Sequence, residues 1–238
     1  MRAFLLHPAT WGTVAAVFLA TMALTRVFFR YAARANLLDV PNARSSHSVP
    51  TPRGGGIAIA GVLLSALTAV GWRWGDNAGT MVRTLVTGGL LVAAVGWVDD
   101  CRPMPARVRL LAQAIAAAWA VFALRGLGAI DLGWTHLPLH PILGGIVAII
   151  AIVWMSNLTN FMDGIDGLVA SETVMVAGVA GVFLAVGGSM RLALVAWMLA
   201  AAAAGFLVWN WHPATVFMGD VGSVLMGYAL GVLALATE

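Results

Sequence analysis

Asn157-Leu-Thr-Asn-Phe-Met-Asp-Gly-Ile-Asp-Gly-Leu-Val-Ala-Ser-Glu172 sets two Asn, two Asp and a Glu between two long apolar runs. Taking a carboxylate into hydrocarbon costs several kcal/mol, so charges kept beside apolar spans usually face a watery cleft and mark a site. Asp163 and Asp166 are three residues apart, and each is followed by a glycine that permits close backbone approach. That spacing suits two carboxylates converging on one cationic or hydrogen-bonding ligand. The plainer reading is an Asp-Gly turn that caps the next helix.

Working outward, the flanks decide the fold. The chain has 238 residues, 61% hydrophobic and 10% charged, where a soluble domain carries roughly one quarter charged residues. Spans of about 20 mostly apolar residues are needed to cross a bilayer. Eight runs qualify, near 9–28, 56–73, 80–98, 108–125, 141–157, 168–187, 190–209 and 217–236. Their Ala, Leu, Val and Gly runs lack the alternation of lipid-facing strands. The expectation is an all-α, polytopic transmembrane bundle occupying residues 1–238 as a single integral membrane domain.

Arg2 precedes the first run, and Arg26, Arg30 and Arg34 follow or end it, which predicts a retained span with its N-terminus outside. Parity then assigns eight Arg residues to the inner side and five to the outer side. Asp39, Asp99, Asp100, Asp163, Asp166, Glu172 and Asp220 fall on the inner side as well. Acidic residues have little influence on orientation, so their clustering asks for a chemical cause. All thirteen basic residues are Arg, scattered at span ends, so no nucleic-acid surface is expected. Cys101 is the only cysteine, which excludes an intramolecular disulfide and a thiolate metal cluster. Among the outer loops, the Gly, Trp, His and Pro mixture of Leu127–Pro141 predicts a small hairpin.

Three more inner loops carry chemistry. In the first, Pro41, Pro50 and Pro52 hold the chain extended, and Gly54, Gly55 and Gly56 open the second span. Their backbone N–H groups are expected to be free to face a phosphate, with Arg44, His47 and Arg53 beside them. The plain alternative is a hinge at the membrane surface. In the second, Asp99 and Asp100 are about 100° apart around a helix axis and cannot do the same job. Arg107 and Arg109 follow, placed either to hold an anion or to form an ordinary interfacial ion-pair network. In the last, Asp220 stands between Gly219 and Val221-Gly222, which suits a carboxylate ligand to Mg²⁺, and Phe217 suits stacking on a base or an interfacial role. Hard oxygen donors and Arg without a Cys/His zinc set favour Mg²⁺ or Mn²⁺ and phosphoryl transfer.

The motifs Asp39-x-Pro-Asn-x-Arg…His47…Pro50-x-Pro52-x-Gly-Gly, Val98-Asp-Asp100, Asn157-x-x-Asn-x-x-Asp-Gly-Ile-Asp-Gly-Leu168 and Pro213-Ala-x-x-Phe-Met-Gly-Asp-x-Gly-Ser223 resemble those of the polyprenyl-phosphate N-acetylhexosamine-1-phosphate transferases, the MraY and WecA superfamily. The resemblance covers nearly the whole chain. The Arg-Ser-Ser-His form of the first motif most resembles the branch that initiates O-antigen or other surface polysaccharides.

It implies an enzyme of the bacterial inner membrane that works at the cytoplasmic face. A polyprenyl (undecaprenyl) phosphate would attack the β-phosphorus of a UDP-N-acetylamino sugar with Mg²⁺ and release UMP. Carried over residue by residue, Asp99, Asp100 and Asp163 are the catalytic set and Asp220 the metal ligand. Arg44, His47, Arg107, Asn157, Asn160, Asp166, Asn210 and Phe217 are the substrate-binding set. Arg107 stands where the family commonly has Lys, which keeps the charge and changes its geometry. The expected partners are the nucleotide sugar, the lipid phosphate and the membrane, with a homodimer as one assembly.

Family members generally continue into further spans and a His-rich loop, whereas this chain stops at Glu238. A truncated, catalytically silent membrane partner is therefore the alternative expectation. A secondary transporter is a more distant one, and it predicts carboxylates at span centres rather than span ends.

Overall fold

A computed structural model describes residues 8–35, 37–41, 49–131 and 134–237. Arg44 and His47 lie outside the described residues. Within these, the apolar runs become eight helices: α1 (Pro8–Arg34), α2 (Gly56–Gly71), α3 (Asn77–Cys101), α4 (Ala106–Leu124), α5 (Pro141–Met162), α6 (Leu168–Val186), α7 (Met190–Asn210) and α8 (Asp220–Ala236). Two antiparallel hairpins complete the description. Leu38–Asp39 (β1) pairs with Thr51–Pro52 (β2), and Ala129–Asp131 (β3) pairs with His136–Pro138 (β4) in the loop where a hairpin was expected.

Helix ends follow local chemistry. Asp76 caps α3 by accepting from Gly79 N at 3.1 Å, and Pro141 opens α5, where a missing N–H costs nothing. Several helices outrun their apolar stretches: α3 continues through Asp99 and Asp100, and α5 reaches Met162. Their polar ends are thus held on rigid helix rather than in loops.

Six helices are long and apolar enough to cross a membrane, while α2 and α8 have 16 and 17 residues. At 1.5 Å per residue these two are about 24–26 Å long, short of a hydrocarbon core of about 30 Å. For α8 the shortfall is tolerated because protein covers it. Nearly every residue from Asp220 to Leu235 is buried, against α3 and α5 chiefly and α2 and α4 beside them. The run expected at 217–236 becomes helical only from Asp220, since Phe217–Gly219 is extended lead-in.

With α8 at the centre, α7 forms a second buried axis between α1 and α6. The outward faces are apolar at helical spacing, with Leu111, Ile115, Trp119 and Phe122 exposed on α4 and Ile150, Trp154 and Phe161 on α5. Small residues let the helices approach where α8 begins. A Cβ on Gly56 would come within 2.4 Å of Gly222 Cα, so α2 and α8 touch backbone to backbone. At the opposite end of the bundle, Arg191 pairs with Asp76 at 2.7 Å and lies over the Trp74 ring.

Gly56→Val is expected to force α2 away from α8 and lower stability by about 1–3 kcal/mol, the usual cost of overpacking. A thermal unfolding midpoint equal to that of the parent protein would show that this crossing is looser than described.

Candidate active site

Asp99 and Asp100 occupy the last turn of α3 and, as their angular offset requires, turn to different partners. Asp99 Oδ2 lies 2.9 Å from Arg109 Nη1, and its Oδ1 accepts a short hydrogen bond from Met104 N in the tight α3–α4 connection. Asp100 instead accepts from the N-terminal amides of α8, Asp220 N at 2.9 Å and Val221 N at 3.1 Å. Gly219, just before that helix, has φ +74°, and a Cβ there would stand 2.6 Å from Asp100 Oδ2. Only glycine permits this seat, on steric and backbone grounds alike.

The first residue of α8 completes the cluster. Asp220 Oδ1 lies 3.0 Å from Arg53 Nη2, and Oδ2 lies 3.0 Å from Arg109 Nη1. Arg53 also reaches Asp100 Oδ1 with Nε at 3.0 Å. Its position is fixed by backbone pairing: Phe217 N donates to Pro52 O, Gly55 N to Phe217 O and Gly56 N to Met218 O, all within 2.9 Å. The Gly55 and Gly56 amides expected to be free for a phosphate are therefore spent on the loop before α8. They deliver Arg53 to the acids instead.

Asp163 and Asp166 do not converge on one ligand as their spacing suggested. Asp163 accepts from Gly219 N at 3.2 Å, while Asp166 Oδ2 contacts His212 Nδ1 at 2.9 Å and accepts from Ala214 N at 3.0 Å. The two carboxylates hold opposite ends of the α7–α8 loop, because the turn Gly164–Gly167 rotates the chain between them. The next helix α6 starts on Gly167 without a side-chain cap, so the Asp-Gly capping reading does not hold either. Asn210 is buried and bridges Gly167 N and Val216 O, each at 3.0 Å, tying the same loop to the α5–α6 turn.

Asn160 Nδ2 donates to Ser223 Oγ at 3.0 Å, one turn into α8. Asn157 Nδ2 donates to Gln113 Oε1 and Val153 O. Phe217 is half-buried in the loop, and Arg107 is exposed on the first turn of α4. Arg109, two residues on, is the α4 guanidinium brought to the acids. Glu172, on the second turn of α6, has one carboxylate oxygen sealed from solvent without a partner.

Burial and the neighbouring Asp100 and Asp220 charges push the Asp163 carboxyl well above its ordinary range, against the opposing pull of Gly219 N–H and Arg53. Burial works against the Arg53 charge, but Asp100, Asp220 and Asp39 outweigh it and raise its pKa. Four carboxylates thus surround two guanidinium groups at one end of the bundle. Among the described residues no group of three His, Cys, Asp or Glu side chains forms a ready metal site. The donor set nonetheless fits a hard cation, since Asp99 and Asp220 both aim an oxygen at the single Arg109 Nη1, a point where positive charge is already required. All four acids sit at helix ends, contrary to the transporter expectation.

Comparison with known proteins gives the family. Glycosyl transferase family 4 matches residues 82–238. An alignment of 227 residues, 91% of the chain, is 30% identical to a probable undecaprenyl-phosphate N-acetylglucosaminyl 1-phosphate transferase of Bacillus subtilis (strain 168). The chain spans 60% of that relative's length.

A carboxyl whose folded pKa is raised lends stability that is full below about pH 4, its unfolded pKa, and is lost as pH rises through the raised value. The thermal midpoint in metal-free buffer is therefore expected to fall over that window, and Asp163→Asn to flatten the fall. Superimposable midpoint–pH curves for the two proteins would contradict a raised pKa for that carboxyl.

Proposed function

The chain belongs to glycosyl transferase family 4, and from that premise we propose that it transfers an N-acetylamino-sugar 1-phosphate from a UDP-sugar to a polyprenyl phosphate, releasing UMP. The observation that carries this reading is the convergence of Asp99, Asp100, Asp163 and Asp220 with Arg53 and Arg109 at one end of an apolar bundle. A lipid phosphate arrives from the bilayer and a nucleotide from water, so the reaction belongs at an interface. The sugar is taken as N-acetylglucosamine, in line with the relative's name, and the setting as initiation of a cell-envelope polysaccharide such as O-antigen. The working face is assigned to the cytoplasmic side of a bacterial inner membrane, where positive charge is concentrated.

An acceptor phosphate oxygen attacks the β-phosphorus, the bond from that phosphorus to the UMP oxygen breaks, and UMP leaves with the electron pair. Arg53 and Arg109 offset the repulsion between the two anions. Asp99, held by Arg109 and Met104 N, accepts the acceptor phosphate's proton at Oδ2. Asp100 keeps α8 in place, so that Asp220 faces the reacting groups. Asp220 is the residue that would hold Mg²⁺ or Mn²⁺, whose bound charge would stabilise the diphosphate. Asp166, Asn160 and Phe217 flank the α7–α8 loop, where the nucleotide is placed.

Asp220→Asn is expected to lower UMP release about a hundredfold or more, with folding retained. UMP release is followed with UDP-N-acetylglucosamine, polyprenyl phosphate and added Mg²⁺. Undiminished turnover in the variant would remove Asp220 from the reaction. No turnover by the parent chain would favour a silent membrane partner.

A further inference from the structure

At 27 residues, α1 is the longest described helix. With 1.5 Å per residue it is about 40 Å long, which exceeds a hydrocarbon core of about 30 Å. Its last turn lies at the end of the bundle that holds the acids, since Leu37 O, just beyond it, accepts from Arg53 N at 3.1 Å.

That end carries Arg26, Arg30 and Arg34, all exposed and each four residues from the next, so they form one stripe. No carboxylate among the described residues pairs with any of the three. Towards the middle of the helix the same stripe continues as Ala23 and Leu19, also exposed.

Depth makes the missing partner costly. At the far end Trp11 and Trp197 stack at 5.0 Å, as aromatic rings do at a membrane surface. Counted from Trp11, Arg26 lies about 22 Å down the helix, Arg30 about 28 Å and Arg34 about 34 Å. Against a core of about 30 Å, Arg26 is inside the boundary, Arg30 close to it and Arg34 beyond. Arg34 meets water, whereas Arg26 does not simply stretch towards it. Its guanidinium is held 5.5 Å from the Phe29 ring centre and 5.0 Å from that of Trp209, and Trp209 is itself fixed by donating Nε1–H to Met22 O at 2.9 Å. Rings attract a cation but leave its charge uncancelled. A guanidinium fixed at this depth calls for an anion that comes to it from the membrane.

We propose that the α1 face beside Trp209 binds an anionic glycerophospholipid, whose phosphate sits between Arg26 and Arg30 while an acyl chain runs along Ala23 and Leu19. Charge and polarity match along the stripe: basic where a headgroup lies, apolar where its tail lies. The surface is separate from the acids, and the inference does not rest on the transfer reading. Trp209 links it to the α7–α8 loop, because its carbonyl accepts from Thr215 N at 2.9 Å and Thr215 Oγ1 at 2.8 Å. The bound headgroup therefore braces the end of α7 from which that loop departs.

The test titrates the full chain in detergent micelles with phosphatidylglycerol and reads bound lipid by native mass spectrometry. Arg26→Gln and Arg30→Gln are each expected to weaken binding about fivefold, and Arg30→Lys to stay within about twofold. Arg30 has no ring contact among the described residues, so Arg30→Gln decides the matter if Arg26→Gln does not fold. Equal binding of phosphatidylcholine, whose phosphate is offset by its own ammonium, overturns the proposal. So does an equal loss in Arg73→Gln, which alters an exposed Arg at the opposite end of the bundle. Inorganic phosphate or polyprenyl monophosphate competing as well as phosphatidylglycerol makes the occupant a free anion or the acceptor lipid, and likewise overturns it. Transfer activity plays no part in the readout, so a chain that binds the phospholipid through Arg26 and Arg30 but releases no UMP upholds this surface while the transfer reading falls.

Discussion

The carboxylate of Asp100 on the first two amides of α8 is the contact the rest of the site depends on. A helix N-terminus presents unsatisfied N–H groups and partial positive charge, and inside a bundle neither can be left to water. Asp100 answers both from a different helix. By doing so it fixes the end of α3 against the start of α8, and every other charged group takes its place from that junction. Asp99 is turned toward α4 because Asp100 is turned toward α8. Asp220 is placed because its own backbone N–H is the one being capped.

That junction also explains the glycines around it. A Cβ on Gly96 would meet Asp220 and Val221 backbone within 2.7 Å, and one on Gly219 would meet Asp100 itself. Close approach leaves little room for water, which strengthens attraction among the charges and makes any unpaired charge expensive. The arrangement of acids and guanidinium groups is therefore connected throughout: Arg53 joins Asp100 to Asp220, and Arg109 joins Asp220 to Asp99.

Hydrocarbon thickness made the helices legible in the sequence, since a run of about 20 apolar residues has few other uses. The acids at span ends were legible for the same reason, because a charge beside such a run stands out. Side-chain pairing across 111 or 167 residues was not, since it depends on how helices pack. Thus Arg107 and Arg109 look alike in sequence, yet only Arg109 turns inward. The Gly55 and Gly56 amides look free until Phe217 and Met218 are seen beside them. The pairing of Gln113 with Asn157 across two helices was hidden in the same way, since each stands as a single amide at the edge of an apolar run.

The polar groups along α4 and α5 are graded from the apolar outer face of the bundle to the acids. Asn157, exposed on α5, is uncharged, Gln113 paired with it is uncharged, and full charge begins only at Arg109 and Asp220. Polarity then rises stepwise from the outer face to the acids, so that the charged groups are set apart from apolar surroundings by neutral amides that pair with each other.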